Sequence, residues 1–78
     1  DMEKIKLIWD FWGPYSKNTA YHHEIHLKEF FKNEKKNLIE SGVDRINELH
    51  YAAFIIIPKK NLNEIKLILK PKRAEIVD

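Results

Sequence analysis

Phe54-Ile55-Ile56-Ile57, halted by Pro58, is the stretch that most narrows what this chain can fold into. β-Branched and aromatic residues suit a pleated strand, and four in succession leave no polar face for water. As an exposed edge such a run would invite aggregation, so it belongs in the middle of a sheet or under a partner subunit. The rest of the chain has to supply its neighbours.

Residues 4–12, Lys-Ile-Lys-Leu-Ile-Trp-Asp-Phe-Trp, alternate and predict a first strand. Ile5, Leu7, Trp9 and Phe11 share one face; Lys4, Lys6, Ile8, Asp10 and Trp12 share the other. Gly13-Pro14 ends it, and Ser16 or Asn18 is placed to cap a helix running to about Ile39. On a helical wheel Ala20, Leu27, Phe31 and Leu38 form one stripe with Phe30 beside it, so the helix should lie on a sheet. His23 falls inside the stripe, His26 on its edge and His22 on the far side; Glu34 interrupts it near its end. Ser41-Gly42 suits the return to a strand. Between Val43 and Ile57 no glycine or proline intervenes, which allows one long bent strand or two strands with a corner near His50.

The tetrapeptide Ile-Lys-Leu-Ile occurs twice, at Ile5–Ile8 and Ile65–Ile68. Identical strings have identical local propensity, so context has to separate them. The second follows Asn61-Leu62-Asn63-Glu64, with Asn61 able to cap and Glu64 at the capping-box position, and Pro71 stops it. Leu62, Ile65, Ile68 and Leu69 then form a helical stripe, and a short helix over residues 62–70 is favoured over a strand. Ala74 to Val77 reads as a closing edge strand. The sum is a single α+β domain over residues 1–78, a ferredoxin-like βαββαβ sandwich with an antiparallel sheet and two helices on one face.

Size and composition bound the function. Seventy-eight residues without cysteine cannot be stapled by disulfides or by thiolate zinc, and small unstapled cores gain from oligomerising, so a homodimer is expected. The net charge of +2 comes from many charges of both signs, without the dense basic stripe of a nucleic-acid reader. No apolar run approaches a membrane span, nor does the start of the chain resemble a secretory leader. A soluble cytoplasmic protein is the expectation, with Met2 as its natural start and no nucleic-acid or membrane partner.

The segments Lys4–Pro14, Glu48–Pro58 and Asn61–Pro71, in this order of elements, resemble the small ferredoxin-like proteins of the dimeric α+β-barrel superfamily. That resemblance implies two sheets paired into a barrel-like dimer, with a ligand pocket between sheet and helices. The superfamily includes muconolactone isomerases and haem-degrading and quinone-forming monooxygenases. The resemblance is one of fold and carries no catalytic set onto this chain.

Candidate chemistry concentrates on the long helix. His23, aimed at the sheet, is the candidate acid or base for an enzyme, with Asp10 and Tyr51 as possible companions. His23, His26 and Trp12 are the candidates for binding a small ligand or partner between the sheet and the first helix. His22 and His26, spaced i and i+4, could share a divalent metal, but two imidazoles make an incomplete site and none is assigned. The zincin pattern fails, because Leu27 stands where its second histidine belongs. No cofactor is expected. Asp10, between Trp9 and Phe11, is read as solvent-facing or held by His23 or Arg45. Lys70-Pro71-Lys72-Arg73 is read as a solvated turn.

Overall fold

The computed structural model describes residues 3–77; Asp1 and Met2, the expected start, and Asp78 lie outside them. Its elements are β1 (Lys4–Trp12), α1 (Ser16–Asn33), β2 (Glu40–Asn47), β3 (His50–Pro58), α2 (Leu62–Leu69, entered through a 3-10 turn at Lys59–Asn61) and β4 (Arg73–Val77). The strands form one antiparallel sheet in the order β2-β3-β1-β4, the ferredoxin-like arrangement. Both helices lie on one face, packing Leu27, Phe31 and Ile65 onto Ile5, Leu7, Trp9, Ala53, Ile55 and Ile57. The apolar run is central: β3 pairs with β1 on one side and β2 on the other.

α1 stops at Asn33, well short of Ile39, and the cause is local. The next residue, Glu34, would carry a carboxylate onto the buried stripe. Instead Lys35 adopts a positive φ of 54°, and the amides of Lys35 and Lys36 bond back to the carbonyls of Lys32 and Phe31. This is a Schellman closure made without glycine. Neither Ser16 nor Asn18 caps the other end: Tyr15 occupies the N-cap position with no side-chain bond, and Ser16 is the buried first residue. Gly42, expected to help turn the chain, lies inside β2.

Residues 43–57 fall in two strands. β2 begins at Glu40, its register shifts between Arg45 and Asn47, and the corner is held by the Leu49 amide donating to Asn47 Oδ1 at 2.8 Å. The second Ile-Lys-Leu-Ile is helical, with Ile65 in the core and Leu62 and Leu69 packed against it. The first stays extended because its alternation continues through Trp9 and Phe11 between two partner strands.

The face away from the helices is covered by the protein's own charged side chains. Ile8, Ala52 and Phe54 form a second buried cluster there. Lys6 reaches across it, with its ammonium 4.3 Å from the centre of the Phe54 ring and 2.9 Å from Asp44 Oδ2. Phe54 in turn lies over Gly42, where an added Cβ would come within 2.7 Å of the ring. We therefore expect Gly42→Ala to cost about 1 kcal/mol despite alanine's better strand propensity, because the ring is held from above. Urea denaturation checks this: in a Phe54→Leu background the same substitution should cost clearly less.

Candidate functional site

Asp10 is an even-numbered residue of β1 and so faces away from the helices. Its cross-strand neighbour on β3 is Ala52, small enough to leave room for the carboxylate, which is only 5% exposed. Two side chains converge on it from opposite strands. Arg73, at the start of β4, donates from Nε to Oδ2 at 2.8 Å and from Nη2 to Oδ1 at 3.0 Å. His50, at the start of β3, lies 2.7 Å from Oδ1 through Nε2. The bidentate arginine holds the Asp10 carboxyl below its usual range against the opposing effect of burial, and His50 adds to the lowering. The same contact raises Arg73.

An ionised carboxylate can only accept, so His50 donates from Nε2 to Asp10 Oδ1. The indole of Trp12 stacks on this imidazole, with ring centres 4.7 Å apart and planes inclined by 25°. Trp12 is directly opposite His50 in the ladder, yet it is 65% exposed. Gly13, at φ 109°, turns the chain immediately after it and donates its amide to the Leu49 carbonyl at 2.8 Å. Trp12, Tyr15 and Leu49, all exposed, are thereby gathered at one end of the sheet.

His23 lies on the other side of the sheet. Its ring packs against Trp9 and Phe11, with centres 5.1 and 5.5 Å away, and Nε2 is buried without a protein partner among the described residues. Burial lowers its pKa below the ordinary value of 6.5, and the nearby charge of His26 lowers it further. Tyr51, opposite Phe11, shares this helix-covered face. Asp10 does not: the sheet separates it from both. Asp10 is buried where the sequence suggested a solvent-facing carboxylate or one held by His23 or Arg45. Its partners are Arg73 and His50, and Arg73, itself half exposed, is thus tied into an ion pair rather than left in a solvated turn.

His22 and His26 are neighbours on the exposed side of α1, with rings 5.0 Å apart, and Glu29 lies 3.5 Å from His26 Nδ1. No group of three or more potential metal ligands occurs among the described residues. His50 cannot complete the pair, because it is on the opposite face. Nor, among the described residues, is any helix long and apolar enough to cross a membrane. Comparison with known protein families, with curated proteins and with solved structures gives no match.

Two pH-dependent consequences separate these groups. Asp10 ionises at lower pH in the folded state than in the unfolded chain, so its contribution is complete above 3.8 and is lost as the pH falls through the folded value. Asp10→Asn is expected to cost about 1–2 kcal/mol near neutral pH and to remove part of the acid limb of the stability profile. His23 also binds fewer protons folded than unfolded, so stability should decline as the pH drops below 6.5. In His23→Leu, which keeps the packing and deletes the buried nitrogen, that decline should disappear. Urea midpoints measured across both windows test the pair. His23→Ala, which empties the space between Trp9 and Phe11, should cost more than His22→Ala.

Proposed function

We propose that this domain works by binding, and that it receives a protein partner at the Trp12 end of the sheet. The observation that carries this reading is the fixed, exposed indole. Trp12 stacks on an imidazole that a buried carboxylate orients, and the carboxylate is itself clamped by Arg73. Such an aromatic loses little freedom on binding, which is what makes tryptophan a favoured anchor at interfaces. Trp12, Tyr15 and Leu49 stand out from the surface, so they suit an apolar recess on another protein better than a small molecule, which needs a concave site.

The Asp10–His50 pair also has the form of an oriented general base. Against that use, Asp10 already shares its charge with Arg73, and no nucleophilic side chain hydrogen-bonds His50 among the described residues. A second reading places a small polar ligand between the sheet and α1, and it is favoured by the partnerless Nε2 of His23. It ranks below the first because the rest of that ring is packed against Trp9 and Phe11.

Affinity capture from the source cells with the immobilised domain, followed by titration of the retained protein, tests the proposal. Trp12→Ala should leave stability within about 1 kcal/mol and weaken the captured partner's binding by about thirtyfold or more. Retention of the same proteins at the same affinity by Trp12→Ala would overturn it, as would the absence of any stoichiometric partner of the wild type.

A further inference from the structure

β2 is an edge strand of eight residues whose outer backbone groups have no partner strand among the described residues. The opposite edge, β4, is shorter, and its charged pair Arg73 and Glu75 is satisfied internally. Above β2 runs one flank of α1, joined to it by the Ser41 hydroxyl donating to Glu24 Oε2 at 2.9 Å. Tyr21 and Ile25, one turn apart on that flank, are both about half exposed (46% and 48%). Arg45, on β2, has no ion-pair partner among the described residues. An unpaired strand edge, an apolar flank and an unused cation thus lie side by side.

We infer that β2 pairs with β2 of a second copy in an antiparallel ladder centred on Val43. The charges select this register. In a twofold ladder that continues the sheet, facing residues lie on the same side, so the axis must pass through a residue. An axis at Gly42 sets Glu40 against Asp44 of the second copy. An axis at Asp44 or Arg45 sets a like charge against itself. Like charges directly opposite are destabilising. An axis at Ser41 leaves a ladder ending near Val43 and gives Arg45 nothing to meet.

With the axis at Val43, Gly42 faces Asp44, Glu40 faces Ile46 and Ser41 faces Arg45. Arg45 of each copy is then brought beside the Glu24 of the other copy, which its own Ser41 holds and whose nearby cation, Lys28, is a looser 3.8 Å away. The twofold makes that ion pair twice. It also brings the two Tyr21–Ile25 flanks together above the ladder, where their apolar surface leaves water. The surface is distinct from the Trp12 end, so the two assignments stand or fall separately.

Sedimentation velocity of the full chain, with circular dichroism to confirm folding, tests the inference. The wild type should be dimeric at micromolar concentration. Arg45→Glu, which sets a carboxylate against Glu24, should raise the dimer dissociation constant about tenfold or more, and Arg45→Glu combined with Glu24→Arg should restore it. Trp12→Ala should leave it unchanged. A wild type that stays monomeric at hundreds of micromolar, a dimer indifferent to Arg45→Glu, or one abolished by Trp12→Ala would each overturn the inference. If Arg45→Glu proves unfolded, Val43→Lys, which faces two ammonium groups across the axis, should dissociate the dimer, and a dimer that persists would overturn it equally.

Discussion

A four-stranded sheet has two faces, and this chain has helices for only one. The bond between Asp10 and Arg73 is what makes the other face tolerable. Arg73 crosses from β4 to β1 beside Ile8, and Lys6 crosses in the other direction over Phe54 to Asp44. The long stems cover apolar side chains while their charged ends are satisfied, so a second small cluster is buried without a second layer of helices. Removing Asp10 would strip the guanidinium of its two short bonds and leave it the longer contact to Glu75, 3.4 Å from Nη1. The same carboxylate fixes His50 and through it Trp12, so the covering of the sheet and the geometry of the candidate site depend on one group.

Strand alternation was legible because period-two patterns are strong where one face meets a packed layer. Ile5, Leu7 and Trp9 are buried together under the helices, as their spacing requires. The wheel likewise put His23 on the sheet side of α1 and His22 in water, and so it is. The helix ends were less legible. The sequence offers glycine at position 42, but the chain reverses at Lys35, because keeping Glu34 out of the core outweighs the modest cost of a left-handed lysine. Gly42 is needed elsewhere, to admit the Phe54 ring.

The site was legible in two residues, Asp10 and Trp12. Asp10 stood out as a carboxylate in an apolar run, but its partners lie 40 and 63 positions away in sequence, beyond the reach of local pattern. Parity alone already placed Asp10 and Trp12 on the face opposite Ile5 and Trp9, and hence away from a histidine aimed at that face from the helix. The identity of its partners needed the register of β1 against both β3 and β4. Arg73 was hidden by its company: within Lys70-Pro71-Lys72-Arg73 it reads as one more solvated cation, and only the strand that begins there turns it inward.

Charge on the open face also bears on how two such domains would meet. Pairing two sheets face to face, as the α+β-barrel resemblance implies, would bring Asp10, Arg73, Lys6 and Asp44 of both copies into one dry interface. Those ion pairs are internal and already satisfied, so a facing copy would remove their hydration without offering new partners, and desolvation of that kind is seldom repaid. Pairing along β2 leaves that face in water. It uses instead backbone groups that have no partner strand, and an arginine that has no anion, among the described residues. The Trp12 end also remains open in such an assembly, on the far side of the corner at Asn47–Leu49, so that one domain could hold its twin and a different protein at once.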